Sequence, residues 1–262
     1  MGDTTNIQPP DTLSSLKKFT QARIALGRQG VSLPSREMLQ FKMDHAHARD
    51  AVFSLPDIDH LLSAVQAFKL PVYILRSRAA DKHIYLKRPD LGRRLHQDSM
   101  NELNNAGETS YDVCITITDG LSGTAINRHA MQVLSLLIPA LEACRFNIAP
   151  LCIVQHGRVA VADETASLLK AKLSVILIGE RPGLSAHDSL GAYITYHPKP
   201  GLTDESRNCI SNIRPEGLSY ADAVNKIFYL ISEAMRLQLS GVGLKEADMQ
   251  TMALHNSAQL RG

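Results

Sequence analysis

Apolar residues recur at helical spacing through the first third of the chain. They predict helices over 12–30, 34–56 and 57–68, with glycine or proline at their ends. The residues before the first helix are polar and contain a proline pair, so we expect a flexible arm there. The pattern therefore predicts a mainly helical N-terminal region over residues 1–70.

After Pro71 the pattern changes to short apolar runs that alternate with amphipathic stretches. The runs that predict buried strands cover 72–75, 113–117, 149–155 and 173–178, with a candidate edge strand at 193–196. A long amphipathic helix is predicted at 219–239. Strands and helices that alternate with short loops are typical of a parallel sheet covered on both faces. We therefore predict an α/β fold over 71–262, with a doubly wound, mostly parallel, Rossmann-like sheet.

Composition and charge limit the class of protein. With 262 residues, 44% of them hydrophobic, the chain suits one large globular domain or a main domain with a small appendage. A formal net charge of +2 does not indicate a nucleic-acid partner, and we interpret the basic pairs at 87–88 and 93–94 as a solvated helix face. The longest apolar stretch, 133–140, is too short to cross a bilayer. The chain also starts without the pattern of a secretory signal, so we expect an intracellular protein without a membrane partner.

Metal sites and phosphate-binding loops are not indicated. The four cysteines show no C-x-x-C spacing and no H-E-x-x-H pattern occurs, so we predict no metal ligands. Cys114 and Cys152 stand in apolar runs and are predicted to be buried free thiols. No G-x-G-x-x-G pattern follows a strand, and no G-x-x-x-x-G-K-S/T pattern occurs. The usual mononucleotide-binding loops are therefore not predicted.

Ser122 offers a weak catalytic alternative. The sequence Gly120-Leu121-Ser122-Gly123-Thr124 is similar to the nucleophile elbow of serine hydrolases, in which a strand-to-helix turn exposes a serine. Its fifth position is threonine rather than glycine, and no acid and histidine partners are identifiable. A tight loop between a strand and a helix is the better explanation. A stand-alone hydrolase that uses Ser122 is thus the weakest of the alternatives.

The stretch 157–213 is the most informative about a ligand. The strand predicted at 173–178 runs directly into a turn that contains Gly179, Glu180, Arg181, Pro182 and Gly183. In parallel α/β sheets, ligands bind outside the carboxyl ends of strands. Glu180 and Arg181 are therefore candidates for ligand contact, although an ordinary exposed ion pair would explain them equally well. For Cys209, the residues alone favour a packed small hydrophobic side chain.

Several long, unusual blocks occur together in one order and carry a family resemblance. They are 84–94, 117–122, 157–159, 173–184 and 207–213. With these blocks the chain resembles the small (light) subunit of ethanolamine ammonia-lyase, an adenosylcobalamin-dependent enzyme. The resemblance implies that Val159, Glu180 and Cys209 contact adenosylcobalamin, since this chain has the family's residue type at all three positions. It implies no catalytic residue and no metal ligand on this chain.

The resemblance also implies an activity and a partner. Together with the large subunit, the chain would convert ethanolamine to acetaldehyde and ammonia by a radical mechanism that depends on the cofactor. The D-x-H-x-x-G motif, whose histidine binds cobalt, is only half present: Asp81 and His83 match it, but Leu86 replaces the glycine. The benzimidazole of the cofactor should therefore stay on cobalt. The main alternative is a non-catalytic α/β cofactor-binding or scaffold protein.

The resemblance bears on location as well. Family members from compartment-forming bacteria can have a longer extension before the first helical block, whereas about a dozen residues precede that block here. So short a segment cannot form a packed element of its own. We therefore expect a cytoplasmic protein, with encapsulation in a bacterial microcompartment as the alternative.

Overall fold

The computed structural model describes residues 14–20, 22–28, 30–106 and 109–244. The strands are β1 (Val72–Arg76), β2 (Tyr111–Thr118), β3 (Leu151–Gln155), β4 (Ala171–Gly179), β5 (Leu190–Tyr196) and β6 (Asn208–Ile213). The α-helices are α1 (Ser35–Phe53), α2 (Ile58–Val65), α3 (Lys82–Lys87), α4 (Pro89–Gly92), α5 (Gln97–Asn104), α6 (Gly123–Ala125), α7 (Met131–Ala143), α8 (Val161–Leu168) and α9 (Tyr220–Leu237). A π-helical turn, Ile126–Ala130, joins α6 to α7.

The strands form one mixed sheet in the order β1-β3-β2-β4-β5-β6. The first four are parallel to their neighbours, whereas β5 runs antiparallel to β4 and β6 antiparallel to β5. The α/β class is confirmed. The prediction of a doubly wound, Rossmann-like sheet is wrong for the part of the sheet that β5 and β6 form. The connection 180–189 between β4 and β5 contains no helix. Without a crossover helix, the chain returns antiparallel beside the strand that it has just left.

Helices cover both faces of the sheet because side chains alternate along each strand. In β2, Val113, Ile115 and Ile117 belong to the core formed with α2, α7 and α9, while Cys114 belongs to the core formed with α5 and α8. All four side chains are fully buried. Burial of each large aliphatic side chain contributes roughly 1.5–3 kcal/mol, so the two cores hold the ends of the strands in place.

The long helix near the end of the described chain is confirmed close to its predicted bounds. Its N-terminus is capped by Ser219, whose Oγ accepts a hydrogen bond from the backbone N–H of Asp222 at 3.2 Å. Ile227, Leu230 and Ile231 on one side of α9 are fully buried, so this helix is amphipathic. Among the helices of the described residues, none combines the length and the apolar character needed to span a membrane.

The N-terminal region departs from its prediction. The described part of 12–30 contains only a short 3-10 helix, Ser14–Lys18, followed by irregular backbone, so the first predicted helix is wrong. A short amphipathic segment is marginally stable unless packing supports it. The other two helices exist as α1 and α2, and α2 contributes Leu61 and Val65 to the core. The arm predicted for about the first dozen residues lies outside the described residues, and the division between 1–70 and 71–262 stays a prediction.

Candidate functional site

Three loops meet where β2, β3 and β4 end. The backbone N–H of Leu121 donates to the carbonyl oxygen of Gly179 at 2.9 Å and joins the loops after β2 and β4. The backbone N–H of Gly157 donates to Oγ1 of Thr118 at 2.9 Å and joins the loop after β3 to the same place. Since these strands are parallel, their carboxyl ends share one edge of the sheet, where α/β proteins bind ligands.

The loops approach each other so closely that two positions require glycine. A Cβ atom on Gly179 would lie 2.1 Å from the carbonyl oxygen of Ser122, and one on Gly120 would lie 2.5 Å from the carbonyl oxygen of Gly179. Gly120 also has a positive φ of 52°. The glycines that the sequence places at the strand ends therefore let two backbones pack directly against each other.

An open cavity of about 470 Å³ lies at this edge, and we call it the edge cavity. Val159 and Glu180, two of the three site residues that the resemblance implies, both line it. Its other lining residues come from the same loops and from the helix after β1: Tyr85, Leu121, Arg158, Ile178, Gly179, Arg181 and Tyr193. The structure thus brings together side chains that lie far apart in the sequence.

One wall of the edge cavity is the aromatic ring of Tyr85, which two cations contact. The guanidinium of Arg158 lies 4.5 Å from the centre of the Tyr85 ring, and Nζ of Lys82 lies 5.0 Å from it. Arg158 also donates from Nη2 to the backbone carbonyl of Tyr85 at 3.1 Å. Burial raises the pKa of the Tyr85 hydroxyl, and the nearby Arg158 charge opposes that shift only in part. The Tyr85 hydroxyl therefore stays neutral.

Beneath this wall lies a buried charge network around Asp119, directly after β2. Nζ of Lys82 donates to Oδ2 of Asp119 at 2.8 Å and to the carbonyl oxygen of Gly120 at 2.9 Å. The backbone N–H of His156 donates to Oδ1 of Asp119 at 2.6 Å. Burial acts to raise the pKa of Asp119, but His156 and Lys82 together hold it below its ordinary value. The ionised carboxylate thus ties α3 to the loops after β2 and β3.

Glu180 is positioned by the antiparallel part of the sheet. Its Oε2 accepts a hydrogen bond from the backbone N–H of Asn212 at 3.0 Å, which fastens the carboxylate to the end of β6. The carboxylate lies over Gly191, where an added Cβ atom would come within 3.0 Å of Oε1. No ion pair joins Glu180 to Arg181 among the described contacts, so the simple surface-pair interpretation is wrong. The carboxylate is half-buried and keeps acceptor capacity toward the edge cavity.

Cys209 lies one strand away from the cavity-lining residues. It is exposed on β6 and stands opposite Tyr193 of β5, which itself lines the edge cavity. Burial, followed by the hydrogen bond with Cys209, raises the pKa of Tyr193. The alternative of a packed small hydrophobic side chain is therefore wrong for Cys209. Its thiol, 3.3 Å from Oγ of Ser211, is open to a ligand or a partner at the rim.

Neither alternative chemistry from the sequence finds support in the geometry. Ser122 is fully buried, and its Oγ accepts from the backbone N–H of Ala125 as a helix cap and donates to the carbonyl of His187. Asp81 likewise caps α3, and His83 is exposed without lining the edge cavity. Over the described residues, no cluster of three or more histidine, cysteine, aspartate or glutamate side chains could hold a metal ion.

A second cavity, of about 480 Å³, adjoins the first, and the sequence pattern did not predict it. We call it the arginine cavity, because four arginines line it: Arg93, Arg94, Arg158 and Arg207. The pair Arg93-Arg94 was interpreted as a solvated helix face; both residues are exposed, directly after α4, and both also line this cavity. These two arginines lie near the loop 200–204, which follows more than a hundred residues later in the chain. The spacing of residues in the sequence could not indicate that proximity.

Comparison with known proteins decides the family. The sequence profile described as "Ethanolamine ammonia-lyase light chain (EutC)" matches residues 10–245. The chain belongs to the ethanolamine ammonia-lyase light-chain family. It is 48% identical over 258 residues to the ethanolamine ammonia-lyase small subunit of a Pseudomonas putida strain, covering 97% of this chain and 95% of that one. It is 51% identical over 253 residues to the small subunit of Pseudomonas fluorescens, covering 94% and 92% respectively.

Family membership gives this chain the role of a component of an ammonia-lyase. A third relative, the small subunit of Pseudomonas aeruginosa, is 50% identical over 241 residues and covers 90% of this chain and 88% of its own length. The shared length includes every strand of the sheet and both cavities. The family resemblance inferred from the sequence blocks is therefore confirmed, whereas the roles of Val159, Glu180 and Cys209 stay predictions.

Proposed function

We propose that this chain is the adenosylcobalamin-contacting small subunit of an ethanolamine ammonia-lyase. With a large subunit it would convert ethanolamine to acetaldehyde and ammonia. One observation carries the proposal: Val159 and Glu180, which the resemblance assigns to the cofactor, line the same open cavity, and Cys209 stands beside it. The three positions lie on separate loops and strands, so only the folded chain brings them to one rim.

The edge cavity fits one part of the cofactor. Leu121, Val159 and Ile178 offer an apolar surface for the broad corrin disc, while the free acceptor capacity of Glu180 suits the amide groups at its margin. The cavity volume of about 470 Å³ is in the range for a drug-sized ligand, and a cobalamin is larger. This chain can therefore cover only one side of the cofactor. The rest must be enclosed by another chain, as a small subunit requires.

Bound adenosylcobalamin would supply the radical that removes a hydrogen atom from the substrate. This chain would bind and orient the cofactor and exclude water from one side of it. Two side chains that could transfer protons, Asp119 and Lys82, are buried and engaged with each other beneath the cavity. Tyr85 stays neutral because burial raises its pKa. We therefore assign no catalytic residue to this chain and place the substrate site on the large subunit.

The decisive experiment is an ammonia-release assay with purified components. We expect no turnover of ethanolamine by this chain with adenosylcobalamin alone, and turnover once the large subunit is added. Activity of the large subunit without this chain would favour the alternative of a non-catalytic scaffold. Activity of this chain alone would contradict the assignment of the substrate site to the partner. Cytoplasmic location stays a prediction, with a microcompartment as the alternative.

A further inference from the structure

We infer that the arginine cavity binds the phosphodiester anion on the nucleotide tail of adenosylcobalamin, while the edge cavity receives the corrin. The inference rests on the proposed function, since it gives this chain a second part of the same cofactor. The chemical class of the ligand is a phosphate diester monoanion. Free inorganic phosphate shares that chemistry, so the experiment must separate the two sources.

The first argument is that the two cavities adjoin. Arg158 and Val159 line both of them, so the pair forms the ridge between an apolar cavity and a basic one. A ligand with a flat apolar body and an anionic group on a short linker can occupy both at once. Adenosylcobalamin has this construction, because its nucleotide tail leaves the edge of the corrin and carries one phosphodiester.

The second argument is the charge balance of the arginine cavity. Arg94 donates from Nε and Nη2 to Oε1 of Glu164, whose Oε2 accepts from the backbone N–H of Leu95 at 2.7 Å. Glu164 therefore neutralises the charge of Arg94. Arg207 is likewise occupied, since its guanidinium pairs with the buried Asp163 and with Asp204. Arg94 and Arg207 are thus both compensated, and the second carboxylate beside Arg207 leaves the four arginines and three carboxylates with one positive charge in excess.

The remaining two arginines have no carboxylate partner among the described residues. Arg93 is exposed at the mouth of the cavity. Arg158 is half-buried against Tyr85, and its buried Nε–H donates no hydrogen bond within the described residues. A partly buried cation without a counter-charge is unfavourable, and a bound anion would remove that cost. Guanidinium groups also match the oxygens of a phosphate better than an ammonium does.

The backbone of the loop 200–204, which lines the same cavity, leaves room for such a group. Gly201 in the loop 200–204 has a positive φ of 96°, and no atom lies within 4 Å of the place where its Cβ atom would be. Such a glycine lets a bulky anion approach the chain closely. Asp204 also lines this cavity, but its side chain is 96% exposed, so solvent and salt screen its charge.

The test compares two corrinoids on the assembled complex of both subunits. Cyanocobalamin carries the phosphodiester, whereas dicyanocobinamide lacks the whole nucleotide tail. Binding is followed by the change in corrin absorbance, so no turnover is required. For Arg93→Gln we expect cyanocobalamin affinity to fall about tenfold, the effect of losing one charge-assisted hydrogen bond, and cobinamide affinity to stay unchanged. Arg93→Lys should lose less, because it keeps the charge.

The matched control is Arg236→Gln, which removes an exposed arginine that lines neither cavity. It should leave the affinity for both corrinoids unchanged. Inorganic phosphate added as a competitor should weaken cyanocobalamin binding to wild type, and should not affect cobinamide. If phosphate competes while Arg93→Gln leaves cyanocobalamin affinity unchanged, the cavity holds a free anion and the assignment to the nucleotide tail is wrong.

Other outcomes also decide the matter. Equal loss of cyanocobalamin and cobinamide affinity in Arg93→Gln, or loss of subunit assembly on a sizing column, would show that Arg93 acts on the whole site or on the interface. If Arg93→Gln binds both corrinoids as tightly as wild type does, the inference is also wrong. A wild-type complex that binds neither corrinoid would instead contradict the proposed function, so the two failures are distinguishable.

Discussion

The carboxylate of Glu180 gives the sharpest test of the proposed cofactor site. In Glu180→Ala the protein loses one internal hydrogen bond, the 3.0 Å contact with the backbone N–H of Asn212. A single half-exposed bond of this kind is worth about 1 kcal/mol, so the sheet should remain folded. A hydrogen bond from a cofactor amide to a charged acceptor is worth about 1.5–3 kcal/mol. We therefore expect cobalamin affinity to fall by about tenfold to a hundredfold.

Gly191→Ala perturbs the same carboxylate without deleting it. The new methyl group would lie 3.0 Å from Oε1 and 3.1 Å from Cγ of Glu180, so this flexible side chain must move. We expect a loss of affinity in the same direction and no larger than that of Glu180→Ala. Gly183→Ala in the neighbouring turn is the matched control, because its added Cβ would meet nothing closer than 3.7 Å. That control should bind the cofactor as wild type does.

The assay is equilibrium titration of the assembled complex with cyanocobalamin, paired with denaturant unfolding of each variant subunit. Undiminished affinity in Glu180→Ala would show that the side chain is not the contact, and would leave only backbone groups of the turn for that role. A loss of several kcal/mol in unfolding free energy, with affinity falling in parallel, would refute the reasoning differently. It would mean that Glu180 holds the fold rather than the ligand.

Three further predictions concern the residues around the edge cavity. Asp119→Asn should lower the unfolding free energy by about 3–5 kcal/mol near neutral pH, because it leaves the buried Lys82 without its counter-charge. The folded pKa of Asp119 lies below its unfolded value, so its stabilisation is present above the unfolded pKa of about 3.9 and is lost as pH falls through the folded pKa. The gap between wild type and variant should therefore close in unfolding curves below pH ~4. Ser122→Ala should cost about 1 kcal/mol in thermal unfolding as the loss of a helix cap, and labelling of wild-type Ser122 by a reactive-serine probe would contradict that role. His83→Ala should leave turnover and the paramagnetic resonance spectrum of the cob(II)alamin complex unchanged, whereas a nitrogen splitting that responds to 15N-histidine labelling would place a protein imidazole on cobalt.

The sequence alone predicted the local features of this site. The apolar runs placed the strands β1 to β4 within a few residues of their bounds. A strand that is buried on both faces of the sheet is apolar at nearly every position, so it is visible in the sequence as an unbroken apolar run. The glycines at 120 and 179 marked the turns that follow β2 and β4, since only glycine permits that close backbone approach. The Glu180 turn was placed at the ligand-binding edge because it directly follows the carboxyl end of a predicted strand.

Other features depended on the tertiary structure. The helix predicted over 12–30 does not form in its described part, because a short amphipathic segment needs packing that this one lacks. The direction of β5 and β6 is decided by the missing crossover helix and by pairing across the sheet edge. Periodicity reports which residues are buried but not which strands become neighbours.

Contacts between residues that are distant in the chain determine which side chains form the site. Tyr85 and Arg158 are 73 positions apart, and Glu180 and the backbone of Asn212 are 32 apart. Nothing in the local sequence indicates that an arginine after β3 stacks on a tyrosine after β1, or that a carboxylate after β4 is fastened by β6. Local sequence determines which backbone shapes are accessible, whereas long-range packing selects the partners of each charged side chain, because only packing brings those charges within hydrogen-bonding distance.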